Sequence, residues 1–204
     1  MPAKNIPDDY AAMAEMESLS YTSVQELLSE KFHIDIELLK VLNPGARLDR
    51  PGEKILIPNV ADVAPEGEVK SIEIDKGQGV LRGYGPNGAV LVVYPASIGS
   101  SDNPSPTGKM TVKGVARNPK YSYSPEKNFQ QQGNKEPLTL PPGPNGPVGS
   151  IWIDLTKETY GIHGTANPDL VGKTLSHGCV RLTNWDAEEL GRLVRFGTKV
   201  SFLE

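Results

Sequence analysis

From residue 71 onward the chain consists of short runs rich in β-branched and aromatic residues, separated by turns that contain glycine or proline. The 21 glycines and 18 prolines make up about a fifth of the 204 residues, against an average share of ~12%. So many turns leave little room for long helices and favour a mainly β fold. Strands are predicted at Ser71–Asp75, Val80–Tyr84, Val90–Tyr94, Lys109–Val115, Ser150–Leu155, Tyr160–His163, Gly178–Leu182 and Lys199–Leu203.

One helical pattern lies near the C-terminus of this β-rich region. Thr183 or Asn184 can cap its N-terminus, and Gly197 can end it. Four apolar residues at helical spacing form its buried face: Ala187, Leu190, Leu193 and Val194. The sequence therefore predicts a mainly β domain with a C-terminal helix.

The first sixty residues follow a different, helical pattern. Spacings of three predict a helix within residues 1–18, and a second helix carries Val24, Leu27, Leu28 and Phe32 on one face. Asp35 can cap a third helix, which Asn43-Pro44-Gly45 ends, and a strand is expected at 54–58. We expect an N-terminal tail or helix (1–18), a small α+β module (19–60), a linker (61–69) and a mainly β domain (70–204).

The charge distribution and hydropathy exclude several classes of function. The formal net charge is −4 and no basic stripe is present, so nucleic-acid binding is not expected. No apolar run reaches the ~18 residues of a transmembrane helix. The N-terminus lacks the pattern of a signal peptide, so the protein is either cytosolic or exported after removal of a signal.

A long segment without regular pattern separates the strands predicted before and after it. It runs from about Asn118 to Gly149 and ends in the Pro- and Gly-rich stretch 141–147. Loops of this length inside compact domains are usually functional or disordered. We expect this segment to act as a lid beside the functional site.

The only cysteine, Cys179, lies within sixteen positions of two of the three histidines, His163 and His177. A free thiol has a pKa near ~8.5 and needs a base such as His163 to become a nucleophile. The carbonyl of Gly164 could then fix the imidazole tautomer. The amides of Gly178 and Cys179 could stabilise an oxyanion, and His177 would share a strand face with Cys179. The pattern predicts cysteine-dependent acyl transfer.

Two other interpretations of these residues remain open. A lone cysteine is often simply a small buried apolar residue. Cys179, His177 and His163 could also be three ligands of a zinc ion, although paired cysteines and a fourth ligand are missing. His33, in the N-terminal module, is expected at the surface or at a helix end.

Several segments together resemble the signature of the L,D-transpeptidases, the YkuD-like catalytic domain of bacterial cell-wall enzymes. The likeness covers roughly residues 70–204, and its closing motif is highly specific. The segments are Pro104-Ser105-Pro106-Thr107-Gly108, the Pro- and Gly-rich run 141–149, Trp152-Ile153-Asp154-Leu155, Tyr160-Gly161-Ile162-His163-Gly164-Thr165, Ser176-His177-Gly178-Cys179-Val180-Arg181-Leu182 and Asn184-Trp185-Asp186.

The resemblance implies a role for each matching residue and a β-sandwich with a C-terminal helix as the fold. Cys179 would be the nucleophile and His163 its base, oriented by the Gly164 carbonyl. The backbone at Gly178 and Cys179 would form the oxyanion hole. Auxiliary positions and candidate substrate contacts are His177, Ser176, Arg181, Asn184 and Tyr160. Arg181 could bind a substrate carboxylate, with an ordinary structural ion pair as the alternative.

The reaction implied is transfer of a peptidoglycan tetrapeptide stem to an amine, with loss of the terminal D-alanine and formation of a 3→3 crosslink. Water as acceptor would make the protein a carboxypeptidase or endopeptidase, and a protein amine would give lipoprotein anchoring. No metal or organic cofactor is expected. The implied location is the periplasm or the cell wall. A non-enzymatic wall-binding protein is the remaining alternative.

The module at residues 19–60 is similar to a LysM domain, a glycan-binding βααβ unit. The likeness runs from Tyr21-Thr22-Ser23 through Leu42-Asn43-Pro44-Gly45 to the segment 51–58. The usual first strand and its glycine-aspartate turn are missing or altered. The module could therefore bind glycan or only dock on the catalytic domain.

Overall fold

A computed structural model of the protein describes residues 5–59, 65–99, 105–126, 131, 133–176 and 178–203. Eight strands form one continuous sheet in the order β3-β2-β1-β10-β4-β7-β8-β9, and β5 and β6 form a separate hairpin. The strands are β1 Ser71–Asp75, β2 Val80–Tyr84, β3 Val90–Pro95, β4 Gly108–Arg117, β5 Tyr121–Tyr123, β6 Leu138–Leu140, β7 Ile151–Leu155, β8 Gly161–His163, β9 Val180–Arg181 and β10 Lys199–Leu203. The helices are α1 Tyr10–Ala14, α2 Val24–Lys31, α3 Ile36–Leu42 and α4 Asn184–Leu193.

The main sheet curls until its two edges meet. The register shifts on β4 between Val112 and Gly114, where the pairing passes from β10 to β7. Beyond β3, Ser97 exchanges both backbone hydrogen bonds with Arg181 of β9, each at 2.9 Å. The mainly β fold with a C-terminal helix is thus confirmed, with one curled sheet in place of two separate sheets.

The apolar core lies inside the curled sheet and under α4. Alternate residues of the central strands are fully buried, as in Ile72 and Ile74 of β1 and Ile151 and Ile153 of β7, which is the period of two that a one-sided strand requires. Helix α4 begins where predicted, with the Thr183 side chain accepting from the Asp186 amide. It ends at Leu193, four residues before the predicted glycine.

The three N-terminal helices form largely where the sequence predicts them. Side chains of Asp9, Ser23 and Asp35 cap α1, α2 and α3 by accepting from backbone amides of the first turn. The predicted apolar face of α2 is wrong in one respect. The buried residues of α2 are Ser29 and Glu30, whereas Leu27 is exposed, because α2 contacts α4 of the catalytic domain through polar groups.

The strand predicted at 54–58 is absent. Its backbone instead meets a side chain, with the Leu56 amide donating to Asn43 Oδ1 at 2.6 Å and Asn43 Nδ2 donating to the Leu56 carbonyl at 2.8 Å. A strand needs a neighbouring strand, and the residues that would precede α2 pair elsewhere. The Leu19 amide donates to the Pro142 carbonyl, and the Leu19 carbonyl accepts from the Asn145 amide.

The long segment before β7 contains the β5–β6 hairpin, which the sequence analysis did not predict. The hairpin and the N-terminal residues share a second apolar core made of Tyr10, Met13, Leu19, Tyr123 and Leu140. The Tyr10 ring meets the Tyr121 and Tyr123 rings edge-on, with centroids 5.9 and 5.2 Å away. The N-terminal segment therefore covers the hairpin. Across the described ranges, no helix has the length and apolar character needed to cross a lipid bilayer.

Candidate active site

Cys179 lies immediately before β9, in a segment held from both sides. On one side β8 runs parallel to β9, with His163 opposite Arg181. On the other side Ser97 pairs with Arg181. Partners in a ladder point to the same face, as do residues two apart on an extended chain. His163 and Arg181 therefore share a face, and Cys179 lies in the bend two residues before Arg181.

The sulfur of Cys179 faces backbone groups in the resting structure. Sγ donates to the carbonyl of Thr159 at 3.6 Å, and the Gly161 backbone also approaches the sulfur as a hydrogen-bond donor. No hydrogen bond joins Sγ to the His163 ring among the described residues. Thr159 itself has φ of 68°, an uncommon conformation for a β-branched residue. The thiol is thus aimed at a turn rather than at its predicted base.

The orientation of His163 is fixed by its own loop. Its Nδ1 lies 2.6 Å from the Gly164 carbonyl oxygen, and because a carbonyl can only accept, Nδ1 carries the proton. Nε2 is therefore left with a free lone pair. The ring is 6% exposed and stacks on Trp152, with centroids 5.6 Å apart and planes at 19°.

Burial keeps the thiol and the imidazole uncharged at rest. Burial, with a smaller effect of the Arg181 charge, lowers the pKa of His163 to about 4, against the opposing hydrogen bond to Gly164. Burial also raises the pKa of the Cys179 thiol, although the Gly161 backbone and the charge of Arg181 oppose that change. A neutral thiol beside a neutral imidazole favours proton transfer during attack over a preformed ion pair.

Two serine hydroxyls shape the loop that carries Cys179. Ser176 Oγ accepts from the Gly178 amide at 3.2 Å and donates to the Cys179 carbonyl at 2.5 Å. Ser105 Oγ accepts from the Gly99 amide and donates to the Gly178 carbonyl at 2.7 Å. Because the Gly178 amide is already engaged by Ser176, the Cys179 amide is the remaining oxyanion donor of the predicted pair.

Arg181 brings a positive charge to the nucleophile. Its charge acts on both Cys179 and His163, and burial lowers the pKa of its guanidinium. Within the described ranges Arg181 forms no ion pair, so the structural ion pair considered from the sequence is not observed there. Tyr160, next to Thr159, is half-buried, with the Lys157 ammonium 4.6 Å from its ring centre.

The prediction that Asn184 contacts substrate is not supported. Asn184 is 2% exposed, and its side-chain oxygen accepts from the amides of Ser150 and Thr165, each at 3.1 Å. Its Nδ2 donates to Glu30 and to the Pro144 carbonyl. With every polar atom of the side chain engaged inside the protein, Asn184 supports the loop of His163.

His177 lies outside the described residues, so its auxiliary role stays a prediction. The zinc alternative depended on His177 as a ligand. Among the side chains that the structure describes, no group of three histidine, cysteine or carboxylate residues could hold a metal ion. The remaining two proposed ligands, Cys179 and His163, contact Thr159 and Gly164 respectively.

A groove of about 650 Å³ lies between β7 and the β5–β6 hairpin, and its wall includes Thr159, the partner of the Cys179 sulfur. Trp152, which stacks on His163, and Thr159, which accepts from Sγ, are both part of its wall. The rest of the wall includes Tyr121, Tyr123 and Lys120. The segment predicted to be a lid thus forms one side of the groove next to Cys179.

A thiol in the bend before β9 and an oriented neutral imidazole on the adjoining strand β8 are the groups that cysteine-dependent acyl transfer requires. A family model described as the L,D-transpeptidase catalytic domain, YkuD, matches residues 70–201. The chain belongs to this family and is an L,D-transpeptidase.

Relatives from several bacteria support this assignment along most of the chain. The YkuD protein of Bacillus subtilis strain 168, named as an L,D-transpeptidase, is 30% identical over 175 residues, which are 85% of this chain and 90% of that protein. Its counterpart in Bacillus licheniformis is 29% identical over 178 residues, or 86% and 91% of the two chains. The likeness therefore extends into the N-terminal helices.

Solved structures of L,D-transpeptidases share the fold. L,D-transpeptidase 3 of Mycobacterium tuberculosis, in complex with a faropenem-derived adduct, has a TM-score of 0.54 and 20% identity over 66% of this chain and 60% of that one. An L,D-transpeptidase in complex with imipenem has a TM-score of 0.53 and 18% identity, covering 67% and 60%. At these identities the likeness concerns the fold.

Sequence reasoning missed the roles of three residues that shape the site. The positive φ of Thr159 leaves no distinctive pattern in a single sequence. Ser105 belongs to the segment 104–108 that carries the family resemblance, but nothing in that segment predicts that its hydroxyl bonds to Gly99 and Gly178. Glu30 is 5% exposed yet lies in a module assigned to another role. The one sequence feature that pointed to its burial is its position two residues after Leu28, on a helix with a weak apolar face.

Proposed function

We propose that the enzyme acts on peptidoglycan tetrapeptide stems, with Cys179 as nucleophile and His163 as general base. The observation that carries the assignment is the Nδ1 hydrogen bond of His163 to Gly164 at 2.6 Å. It leaves Nε2 as a proton acceptor on β8, the strand that pairs with β9 directly after Cys179. General-base assistance of this kind contributes typically ~10²–10⁴-fold to the rate.

The acylation step forms a thioester and releases D-alanine. Sγ bonds to the carbonyl carbon of the L,D peptide bond while its proton passes to Nε2 of His163. The Cys179 amide stabilises the oxyanion that develops. When the C–N bond breaks, Nε2 returns the proton to the leaving amine. Before attack, Sγ must leave the Thr159 carbonyl, its partner in the resting structure, and turn toward Nε2.

The thioester is resolved by an amine of a neighbouring stem. The amine bonds to the thioester carbon, the C–S bond breaks, and His163 carries the amine proton to the leaving sulfur. Water in place of the amine would release a shortened stem, and a protein amine would anchor that protein. The groove beside Trp152 and Tyr121 is the natural entry for the acceptor, since its wall adjoins the turn that holds Sγ.

Arg181 is the group proposed to bind the terminal carboxylate of the donor stem. Its guanidinium is partly buried, close to Cys179, and without a carboxylate partner in the described ranges. A guanidinium binds a carboxylate through two parallel hydrogen bonds. Tyr160 lies beside the same turn and is proposed as a neighbouring substrate contact.

The finer organisation of the protein also forms part of the proposal. We divide the chain at the linker 61–69 into a LysM-like module (19–60) and a catalytic domain (70–204), and place the protein in the periplasm or cell wall, where its substrate lies. Exposed apolar side chains of the module, Leu38, Val41 and Leu56, support contact with glycan. Binding of the Cys179→Ala protein to purified cell-wall sacculi, compared with Leu38→Ser/Val41→Ser in the same background, tests this contact.

Incubation with defined disaccharide-tetrapeptides, followed by mass spectrometry, tests the activity. Dimers with loss of one D-alanine are expected from the wild-type protein, and neither dimers nor shortened stems from Cys179→Ala. Cys179→Ala should keep the melting temperature, because the sulfur makes only weak contacts with the backbone of Thr159 and Gly161 in the described ranges. Shortened stems without dimers would instead assign hydrolysis, and product formation by Cys179→Ala would refute the nucleophile.

Imipenem offers an independent test of the thiol, since an L,D-transpeptidase of this fold forms a complex with it. We expect one equivalent of imipenem to add to the wild-type protein and none to Cys179→Ala. Intact-protein mass spectrometry measures the adduct. An adduct on the Cys179→Ala protein would show that the drug reacts elsewhere.

A further inference from the structure

One carboxylate of the N-terminal helices is buried against the catalytic domain. Glu30 of α2 is 5% exposed. Its oxygens accept from Asn184 Nδ2 at 3.0 and 3.3 Å and from the Tyr21 hydroxyl at 3.1 Å. Burying an ionisable group is costly unless it has partners, so an acid at this interface calls for an explanation other than packing.

Asn184 connects this carboxylate to the loop of the catalytic histidine. Its Oδ1 accepts from the Thr165 amide at 3.1 Å. The Thr165 N–H and the Gly164 C=O belong to the same peptide group, which is planar and rigid. The Gly164 oxygen in turn accepts from His163 Nδ1 at 2.6 Å. A single peptide plane is therefore held at one end by Asn184 and holds His163 at the other.

Glu30 decides which way the Asn184 amide faces. The oxygen and nitrogen of a carboxamide have nearly the same shape, and only their partners distinguish the two orientations. A carboxylate accepts and cannot donate, so it selects the orientation in which Nδ2 faces Glu30 and Oδ1 faces Thr165. In the reversed orientation, Nδ2 would meet the N–H groups of Ser150 and Thr165.

Close packing leaves Asn184 no alternative position. A Cβ placed on Gly164 or on Gly149 would collide with Asn184 Oδ1. The amide is thus enclosed by two glycine positions on one side and by Glu30 on the other. Turning the amide over would require either a shift of the His163 loop or the loss of the Glu30 contact.

We propose that Glu30 is a positioning residue of the catalytic site: through Asn184 and the Gly164–Thr165 peptide group, the N-terminal module sets the acceptor that orients His163. The inference rests on the proposed role of His163 as base. The catalytic domain is complete only with its N-terminal helices in place.

Glu26 provides a matched control on the same helix. Its Oε1 accepts from Asn145 Nδ2 at 2.6 Å, so it too bonds across the interface between α2 and the catalytic domain. It makes no contact with Asn184 or with the loop of His163. Replacing Glu26 therefore perturbs docking of the module and leaves every hydrogen bond of the proposed chain with its partners.

The test combines ¹⁵N NMR of the His163 imidazole with the rate of Cys179 acylation by imipenem, using the full chain. In Glu30→Ala we expect the Nδ1 shift and its bound proton signal to move and the acylation rate to fall ~10–100-fold, the range typical of lost supporting contacts. Glu30→Gln can still accept from Asn184, so its rate should stay within threefold of wild type. Glu26→Ala should match wild type in both measurements.

The outcomes separate this inference from the proposed function. An unchanged His163 nitrogen shift in Glu30→Ala, a rate loss below threefold, or an equal loss in Glu26→Ala overturns the positioning role. If Glu30→Ala does not fold, Glu30→Asp is measured instead, since its shorter carboxylate withdraws from Asn184 and should move the same signals. If imipenem fails to acylate the wild-type protein, the proposed function is in doubt, while the nitrogen shifts still decide the role of Glu30.

Discussion

At the scale of single residues, the site contains a neutral thiol, Cys179, and a neutral imidazole, His163. The thiol proton has not yet passed to the imidazole. Burial disfavours both the thiolate of Cys179 and the imidazolium of His163, because each charge would lose its hydration. Such a pair reacts only when a substrate places its carbonyl carbon at the sulfur and its carbonyl oxygen at the Cys179 amide. The resting thiol is accordingly protected against adventitious oxidation, which requires thiolate character.

The first prediction concerns the acid limb of the pH profile. The base is active only while the His163 imidazole is neutral, and its pKa is about 4, so kcat/KM should fall at low pH with a midpoint near that value. Arg181 contributes to this low pKa, so Arg181→Gln should move the midpoint upward. Rates of imipenem acylation across a pH series measure both. A wild-type midpoint near the ordinary histidine value of ~6.5 would contradict the neutral, buried base.

The second prediction concerns recognition of the donor carboxylate by Arg181. A hydrogen bond between charged partners contributes ~1.5–3 kcal/mol, so Arg181→Gln should lower kcat/KM for the tetrapeptide stem by roughly 10–150-fold. A stem with a C-terminal amide should lose a similar factor with the wild-type enzyme and little more with the variant. Arg82→Gln, which removes a surface pair with Asp75, serves as the control. Equal discrimination of acid and amide by both enzymes would exclude the contact.

At the scale of elements, the loop between β6 and β7 and the loop after β8 meet at Asn184. The two glycines that adjoin this side chain, Gly149 and Gly164, differ in backbone conformation. Gly149 has a φ of 61°, whereas Gly164 needs to be glycine for lack of space alone. The close approach lets one asparagine hold Ser150, the residue before β7, and the loop of His163 together.

The third prediction compares two glycines with positive φ. At Gly149 an added Cβ would lie 2.6 Å from the Thr165 nitrogen, whereas at Gly88, with φ of 72°, it meets open space. Gly88→Ala should therefore cost only the backbone term, ~1–2 kcal/mol. Gly149→Ala should cost a further ~1–3 kcal/mol for overpacking and slow acylation, because the Gly164–Thr165 peptide must move. Urea unfolding measures both, and equal losses would refute the packing explanation.

At the scale of the whole molecule, the N-terminal helices form part of the catalytic unit. Leu19 is fully buried against the β5–β6 hairpin, Glu30 reaches Asn184, and the exposed ring of His33 stacks on Trp185 at 4.9 Å. These contacts place the module on both the groove wall and the loop of the base. The N-terminal helices thus contact the catalytic domain, whereas the likeness of residues 19–60 to a LysM domain stays a prediction.

The fourth prediction is a pH dependence of stability that originates at this interface. Burial raises the pKa of Glu30 from 4.5 to about 7, despite hydrogen bonds from Asn184 and Tyr21 that lower it. Between these values the folded protein binds more protons than the unfolded chain, so stability falls as pH rises from about 4.5 to about 7. The shift corresponds to roughly 3 kcal/mol.

Urea unfolding of wild type and Glu30→Gln at pH 4.5, 6 and 8 isolates this contribution. The variant should gain stability relative to wild type as pH rises, because its amide does not titrate. Other groups, among them His163 and Asp186, titrate in both proteins and cancel in the difference. A difference that stays constant from pH 4.5 to 8 would show that Glu30 does not titrate with the proposed pKa.

Much of the β domain could be predicted from the sequence because its strands carry their own patterns. Ser71–Asp75 and Val80–Tyr84 were predicted to the residue, since alternation and flanking glycines mark them. The β5–β6 hairpin was missed because each strand has three residues, too few for a period. The strand predicted at 54–58 is absent because a strand needs a neighbouring strand. The segment before α2 that would have paired with it bonds instead to Pro142 and Asn145 through Leu19.

Local sequence determined the chemistry of this protein, and tertiary contacts determined how that chemistry is held. Each of the two motifs, one around His163 and Gly164 and one around Cys179, is a continuous stretch of sequence. One sequence therefore suffices to predict a thiol, a base and the carbonyl acceptor of that base. Three contacts could not be predicted in this way, and they join residues up to 154 positions apart. They are the bonds of Cys179 Sγ to Thr159, of the Gly178 amide to Ser176, and of Asn184 to Glu30. Such contacts depend on burial and on backbone direction, which arise only when the sheet has curled and the N-terminal helices have docked.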